Sequence, residues 1–311
     1  MFKKEAYVSL GHLLTINSLN QHQIIQLIER AKYFEQPGSA SYLANATSKI
    51  ITNLFFEPST RTQYAFEIAA YKLHVKTITP NIPNLSTLKG ESLLDTIHNL
   101  EVMGSSLFII RHPINHTPEF IASELLSEAK VLNAGDGTHQ HPSQCLTDLM
   151  TISYHFPDFE KLSVAIMGDT FHSRVAESLT AGLTTMGTTD IRYVCPPPLV
   201  PENPQLNSHV KLLSIEEGLD NVDIVVCLRV QKERIDSTNN IPDQAAYFKD
   251  FALTKDRLGL ASPCAIVMHP GPINRGFEID SEVADGDQSV ILQQAQNSIP
   301  MRMAILEALL S

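Results

Sequence analysis

The sequence lacks the features of several protein classes. Its four cysteines lie far apart and form no C-x-x-C pair, so neither a disulfide framework nor a cysteine zinc site is indicated. No apolar run approaches the roughly 18 residues that a membrane-spanning helix requires. Glu5 and Ser9 interrupt the first residues before the apolar core of a signal peptide can develop. We therefore expect a protein of the cytoplasm that is neither exported nor membrane-bound.

Positive charge and nucleotide-binding motifs are also scarce. The 23 Lys and Arg residues against 34 Asp and Glu residues give a formal net charge of -11. This balance argues against nucleic acid or an anionic membrane as the main partner, because both attract net positive charge. The Walker lysine pattern and G-x-G-x-x-G are absent, so a nucleoside triphosphate or a dinucleotide is not favoured. A small anionic ligand, which needs only local positive charge, remains open.

The chain does contain a regular alternation of strands and helices. Hydrophobic residues make up 43% of the 311 residues, which is typical of a folded protein. Apolar strands, the first at 49–57, alternate with helical segments up to a helix at 144–156, and four further strand candidates follow it. This alternation predicts two consecutive α/β domains with parallel sheets, at 1–145 and 146–288. Asn17 and Ser18 are predicted to cap the first helix, and Pro300 is predicted to break or kink the last one.

The segment EPSTRTQYAF, residues 57–66, places an arginine among hydroxyl side chains between a strand and a helix. Helix N-termini at the carboxyl ends of parallel strands bind anions through free backbone N–H groups. Ser59, Thr60, Arg61 and Thr62 would add hydroxyls and a guanidinium, which suits a phosphate group. The alternative is a group of capping residues beside a solvated arginine, and local chemistry leaves both interpretations open.

Other predicted strand ends carry similar side chains. Arg111 ends one strand, and His141 and Gln144 lie three positions apart where a helix begins, so they can face one ligand. In the second half, Arg174 follows one strand and Arg229 ends another, which suits a dicarboxylate ligand. Taken singly, His141 can be a structural residue and each arginine a surface ion-pair partner.

Seven segments in order along the chain carry a family resemblance: FFEPSTRTQYAFEIAA, KGES, IIRHP, GDGTHQHPSQCLTDL, CLRVQKERI, HPGPINRGFEIDSEVADG and IPMRMAILEALL. Together they closely resemble the catalytic chains of aspartate carbamoyltransferases, within the aspartate/ornithine carbamoyltransferase superfamily. The S-M-G loop and H-C-L-P segment of the ornithine-type members are replaced here by RVQKER and HPGP. Arg229 also suits the side-chain carboxylate of aspartate and would repel the ammonium group of ornithine.

The resemblance implies a fold, a reaction and a set of residue roles. It implies that a C-terminal helix at 289–311 returns to the first domain. It also implies that the chain converts carbamoyl phosphate and L-aspartate into N-carbamoyl-L-aspartate and phosphate, a step of pyrimidine biosynthesis. It implies no cofactor and no metal. The carbamoyl phosphate-binding residues would be Ser59, Thr60, Arg61, Thr62, Ser86, Lys89, Arg111, His141, Gln144, Gly271 and Pro272. The catalytic residues among them would be Arg61, Thr62, Lys89, Arg111 and His141, and the aspartate-binding residues would be Lys89, Arg174, Arg229 and Gln231.

The resemblance also implies an assembly. The loop with Ser86 and Lys89 would enter the active site of a neighbouring subunit, so the working unit would be a homotrimer with shared active sites. Two departures concern individual contacts: Leu85 stands where the loop serine of some members lies, and Gly271 stands where some members have leucine. Regulatory chains or dihydroorotase are further partners in this family. The alternative function is that of a catalytically silent homologue that serves as an assembly scaffold for a pathway enzyme.

Overall fold

A computed structural model of the chain describes residues 8–41, 43–81, 90–201, 209–231, 234 and 243–311. They form two compact units, of which the first comprises Met1–Thr147 and Asn297–Ser311 and the second Asp148–Gln296. Each unit contains one parallel sheet covered by helices, so the predicted fold class of two α/β domains in series is confirmed. Among the described residues, no helix combines the length and the apolar character needed to cross a membrane.

The first unit is built on a parallel sheet with the strand order β2-β1-β3-β4. Its strands are β1 (Ile50–Phe55), β2 (Lys76–Ile78), β3 (Leu107–His112) and β4 (Lys130–Asp136). Its helices are α1 (Gln21–Phe34), α2 (Thr60–Lys72), α3 (Leu93–Val102), α4 (Thr117–Ser123) and the start of α5 (Pro142–His155). The central strands are buried apolar runs, which is expected where helices cover both faces of a parallel sheet.

The second unit has the strand order β7-β6-β5-β8-β9, and all its strand pairs are parallel. Its strands are β5 (Ser163–Gly168), β6 (Asp190–Val194), β7 (Val210–Leu212), β8 (Ile224–Leu228) and β9 (Ile266–Met268). Its helices are the end of α5, α6 (Arg174–Thr185), α7 (Ile215–Leu219), α8 (Gln244–Phe251), α9 (Lys255–Leu258), α10 (Ser281–Ala284) and the start of α11 (Ile291–Leu310). Strand β5 lies in the middle of this sheet, so the loop that follows it is bordered by the end of β8.

The end of α11 packs on the first unit, as expected. Glu307 is 1% exposed, and its carboxylate accepts hydrogen bonds of 2.6 and 3.0 Å from the guanidinium of Arg30 in α1. The Arg302 guanidinium lies 4.9 Å from the ring centroid of Phe66 in α2. The backbone N–H of Leu10 donates to the carbonyl of Ala308. The last helix is therefore anchored by two ionic side chains as well as by apolar packing.

The predicted cap of α1 and the predicted break at Pro300 are wrong, whereas a kink at Pro300 stays a prediction. The cap of α1 is Asn20 rather than Asn17 or Ser18, because Asn20 and Gln23 exchange hydrogen bonds between side chain and backbone at 2.9 and 3.0 Å. Pro300 does not break the last helix, since α11 continues through it to Leu310. A proline inside a helix costs about 3 kcal/mol. Residues 301–310 are all buried, and we infer that their packing outweighs this cost.

Candidate active site

Three segments with polar side chains meet at the carboxyl edge of the first sheet. The strand register places Phe55 of β1 beside Arg111 of β3, and His112 of β3 beside Asp136 of β4. Residues 57–62 follow β1, and the loop between β4 and α5 leads to His141. Because these strands are parallel, the residues after β1, β3 and β4 share one edge, which is where α/β sheets bind ligands.

The Ser-Thr-Arg-Thr segment forms the N-terminus of α2, which starts at Thr60 with Ser59 in the N-cap position. Within the described part of the chain, the Ser59 hydroxyl makes no capping hydrogen bond, so it is not committed to the helix as the capping alternative requires. Thr62 is 7% exposed, whereas Thr60 and Arg61 face solvent. Partial burial lowers the pKa of Arg61, but an arginine remains cationic at neutral pH. Free backbone N–H groups, hydroxyls and one cation are thus presented together.

Arg111 is held at the end of β3 by a carbonyl and a carboxylate. Its Nη1 donates to the Ala134 carbonyl at 3.1 Å, and its Nε lies 3.5 Å from Oε2 of Glu57. The backbone N–H of Phe56 donates to the Arg111 carbonyl at 2.8 Å, which fixes the two strand ends together. Glu57, which follows the end of β1, is therefore an ion-pair partner of Arg111.

His141 lies immediately before α5 and is 5% exposed. Its Nδ1 is 3.4 Å from the Ser143 hydroxyl, and its carbonyl accepts hydrogen bonds from the N–H groups of Gln144 and Cys145. If Ser143 donates to Nδ1, the neutral imidazole carries its proton on Nε2, which makes that atom a hydrogen-bond donor. His141 and Gln144 lie on the first turn of one helix, as the sequence predicts.

Asp136 organises the loop that leads to His141, and the sequence reasoning did not identify it. Its buried carboxylate accepts hydrogen bonds from Asn133 Nδ2 at 2.7 Å, from the Gln140 N–H at 3.0 Å and from the His116 N–H at 2.7 Å. Burial alone would raise the pKa of Asp136, but hydrogen bonds, the largest from His139, bring it below its ordinary value. The available signal was an acidic residue at the end of a buried strand.

In the second unit, Arg174 and Arg229 lie at the carboxyl edge of the sheet. Arg174 is the first residue of α6 and is 7% exposed, and Arg229 follows β8 and is half-buried. Because β5 and β8 are adjacent, the loops that carry these arginines are neighbours. The chemistry of two guanidinium groups at one sheet edge suits a ligand with two carboxylates.

Asp169 ties these two loops together and was also not identified from the sequence. This fully buried carboxylate accepts hydrogen bonds from the His172 N–H at 3.0 Å and from the Gln231 N–H at 3.1 Å. The Gln231 side chain donates to the His172 carbonyl at 2.8 Å. Gly168 permits the close approach of β5 and β8, since its φ is +106° and a Cβ there would collide with the Leu228 carbonyl oxygen. Gln231 thus connects the two loops, whatever it binds.

The segment after β9 is fixed by a buried histidine. The Gly271 N–H donates to His269 Nδ1 at 2.8 Å, so the neutral ring carries its proton on Nε2, which lies 3.1 Å from Oε1 of Glu278. The same Glu278 oxygen accepts from the Asn274 N–H at 2.6 Å. Gly271 and Pro272 are therefore held in a defined turn, and their peptide bond is cis. Ser86 and Lys89, by contrast, lie outside the described residues.

Two family descriptions match consecutive parts of the chain. Residues 11–154 match "Aspartate/ornithine carbamoyltransferase, carbamoyl-P binding domain", and residues 160–309 match "Aspartate/ornithine carbamoyltransferase, Asp/Orn binding domain". The aspartate carbamoyltransferase catalytic subunit of Coxiella burnetii is 50% identical over 301 residues, which cover 96% of each chain.

Solved structures give the same result at lower identity. The aspartate transcarbamoylase of Trypanosoma cruzi in complex with carbamoyl phosphate is 27% identical with a TM-score of 0.86, covering 98% of this chain and 97% of that chain. The ornithine carbamoyltransferase of Gloeobacter violaceus is 25% identical with a TM-score of 0.81, covering 97% and 99%. The fold is thus shared by enzymes that use either amino acid, so the choice of amino acid depends on individual residues.

Proposed function

The chain belongs to the aspartate/ornithine carbamoyltransferase family, and from this premise we propose that it transfers the carbamoyl group of carbamoyl phosphate to the α-amine of L-aspartate. The products are N-carbamoyl-L-aspartate and phosphate. The observation that carries the proposal is the meeting of the Ser59–Thr62 segment, Arg111 and His141 at one sheet edge. Arg174 and Arg229 at the edge of the second sheet favour aspartate over ornithine, because a guanidinium repels the ornithine ammonium.

The first domain, predicted as 1–145, binds carbamoyl phosphate in this proposal. Ser59, Thr60, Arg61 and Thr62 hold the phosphate through hydroxyls, helix N-terminal N–H groups and the guanidinium. Supporting this, the Ser59 hydroxyl is not used as a helix cap and Arg61 is exposed.

Thr62, Arg111 and His141 donate hydrogen bonds to the carbonyl oxygen of the carbamoyl group. The amine nitrogen of aspartate attacks the carbonyl carbon, and negative charge develops on that oxygen in the tetrahedral intermediate. The bond from the carbon to the phosphate oxygen then breaks, the phosphate leaves with the electron pair, and it accepts the proton that the attacking nitrogen loses. Positioning and charge stabilisation account for catalysis here, since phosphate is a good leaving group.

The remaining assignments complete the two substrate sites. Gln144 and the Pro272 carbonyl, next to Gly271, orient the carbamoyl NH2 group. In the second domain, predicted as 146–288, Arg174, Arg229 and Gln231 bind the two carboxylates of aspartate. Lys89 and Ser86 contribute from a neighbouring subunit, although they lie outside the described residues.

We further propose a cytoplasmic homotrimer with shared active sites, to which regulatory chains or dihydroorotase can bind. One observation supports an interface on the first unit: Tyr64, Ile68 and Tyr71 are 55, 45 and 81% exposed at positions i, i+4 and i+7 of α2. These spacings place them on one face of the helix. Mixing Arg61→Ala and Lys89→Ala trimers tests the sharing, because reassortment restores some intact sites only if each site uses two chains.

The activity is tested by incubating the purified chain with carbamoyl phosphate and either L-aspartate or L-ornithine. Carbamoyl aspartate and phosphate should form in equal amounts, and citrulline should not form. Citrulline formation would overturn the choice of substrate. Formation of neither product would favour the assembly-scaffold alternative, which a partner-dependent assay would then examine.

A further inference from the structure

Four side chains outside the assigned substrate residues converge at the edge of the first sheet. His116 precedes α4, Glu119 lies in its first turn, Asp136 ends β4 and His139 lies in the loop before α5. Each offers one ligand atom, and these four atoms all lie within 4.8 Å of one another. Two imidazoles and two carboxylates form a donor set typical of transition-metal sites.

His139 Nδ1 and Asp136 Oδ2 are within hydrogen-bond distance at 3.0 Å, whereas the distances from Glu119 to the two histidines suit a shared ion better than direct hydrogen bonds. Oε1 of Glu119 lies 3.8 Å from Nδ1 of His116 and 3.7 Å from Nδ1 of His139, both too long for hydrogen bonds. Ligand atoms around a tetrahedral zinc ion, at about 2.0–2.2 Å from the metal, lie roughly 3.3 Å apart. Separations of up to 4.8 Å must shorten by as much as about 1.5 Å for tetrahedral coordination, and the exposed ring of His116 is free to make that movement.

A second observation points independently to a missing partner. Oε2 of Glu119 is buried and has no hydrogen-bond partner within the described residues. A buried carboxylate oxygen without a partner is costly, and such groups in proteins are nearly always satisfied by a donor, water or an ion. Because Oε1 is the oxygen nearest the two histidines, a cation would satisfy Oε2 when Glu119 binds it through both carboxylate oxygens.

The charge and the backbone of the cluster also suit a divalent cation. The two carboxylates carry a charge of about −2 when the histidines are neutral. Asp136 is fixed, because its Oδ2 accepts from the His116 N–H at 2.7 Å and lies 3.0 Å from His139 Nδ1. His116 adopts a left-handed backbone with φ of 62°, and its ring centroid lies 4.0 Å from that of His139.

We propose that His116, Glu119, Asp136 and His139 bind a divalent transition-metal ion of the zinc class. The ion fastens the N-terminus of α4 to the loop between β4 and α5, which ends at His141. It takes no part in carbamoyl transfer, and this inference does not depend on the proposed function. Mg²⁺ and Ca²⁺ prefer sites made of oxygen ligands alone, so the two imidazoles select against them.

The test measures zinc binding to the chain purified without a histidine tag and treated with a chelator. Titration with Zn²⁺ by calorimetry should give one tight site per chain, and Zn²⁺ should raise the melting temperature. Co²⁺ bound in its place should show the visible absorption of a low-symmetry site. Mg²⁺ should produce neither effect.

Two variants locate the site, and a third is the matched control. His116→Asn and Glu119→Gln should weaken zinc binding about 10- to 100-fold. His74→Asn should not, although His74 is also an exposed histidine with a left-handed backbone, φ 57°. Asparagine tolerates this conformation, so both histidine substitutions carry the same backbone cost. The carbamoyl-transfer activity of the metal-free His116→Asn variant is compared with that of the metal-free wild type. Equal activities show that the variant is folded.

Two results would overturn the inference. One is wild-type protein that binds no Zn²⁺ at a concentration that saturates ordinary zinc sites. The other is an unchanged zinc affinity in both His116→Asn and Glu119→Gln, because the zinc would then be bound elsewhere. Neither result would affect the proposed carbamoyl transfer, which has its own assay.

Discussion

The carboxylate of Glu57 lies 3.5 Å from Nε of Arg111, so the residue before the Pro-Ser-Thr-Arg-Thr segment restrains the arginine at the end of the neighbouring strand. Arg111 also donates to the Ala134 carbonyl of β4. The ends of β1, β3 and β4 are therefore connected through one guanidinium. These two contacts restrain the orientation of the Arg111 side chain.

Replacing Glu57 with glutamine should lower kcat/KM for carbamoyl phosphate about fivefold, because an ion pair of this kind contributes about 1 kcal/mol. Steady-state rates at saturating aspartate measure the effect. Glu67→Gln is the matched control, since Glu67 lies on α2 and accepts hydrogen bonds only from neutral side chains among the described residues. Equal kcat/KM in the wild type and Glu57→Gln would show that Arg111 does not need this restraint.

Arg229→Ala should raise KM for aspartate about 10- to 100-fold and leave KM for carbamoyl phosphate nearly unchanged. The reason is the loss of a charge-assisted hydrogen bond to a carboxylate, which contributes about 1.5–3 kcal/mol. Arg192→Ala is the control, because the guanidinium of Arg192 pairs with Asp190 at 2.6 Å in the same sheet. A higher KM for carbamoyl phosphate with an unchanged KM for aspartate would contradict the assignment of Arg229.

Gly168→Ala should lower the free energy of unfolding by more than the substitution of alanine for another glycine with positive φ, because its Cβ would also collide with a neighbouring strand. An unfavourable backbone conformation costs about 1–3 kcal/mol, and the collision with the Leu228 carbonyl should add about 1–3 kcal/mol. Gly104 is the matched control, since its φ of +104° is nearly the same and a Cβ there meets nothing within 4 Å. Urea unfolding midpoints measure the difference, and equal midpoints for the two variants would show that β5 and β8 can move apart.

The sequence predicted those parts of the molecule whose physical cause is local. Buried apolar runs marked β1 and β3, and the position of Ser59–Thr62 between a strand and a helix placed that segment at a sheet edge. Strand β7 was not predicted, because Val210–Leu212 is too short for its alternation to be distinguished. The prediction of a cap at Asn17 or Ser18 failed because several polar residues in a row can cap a helix.

The supporting carboxylates could not be predicted for a different reason. Asp136 and Asp169 accept hydrogen bonds from the backbone N–H groups of His116 and Gln231, which are distant in sequence. Glu278 accepts from the Asn274 N–H, which only the turn after β9 brings to it. A sequence shows which acids are present but not which folded loops present free donors to them. The same limit applied to Glu57, whose partner Arg111 lies at the end of a different strand.

The cysteines allow a prediction of pH dependence. Burial raises the pKa of the Cys195 thiol to about 11, and burial also raises the pKa of Cys227. Cys145 is buried as well, whereas Cys264 is exposed. The thiolate is the reactive form, so at pH 8 a thiol of pKa 11 is ionised to only about one part in a thousand. A disulfide reagent should therefore modify one thiol per chain rapidly, and Cys264→Ser should abolish that fast phase.

The slow reaction of Cys195 should accelerate about tenfold from pH 8 to pH 9, because both values lie well below its pKa. Cys195→Ser, as the control, should lose this pH-dependent phase and keep the fast one. Two fast thiols per chain at pH 8, with one of them lost in Cys195→Ser, would show that the second unit opens around β6 faster than the reagent reacts.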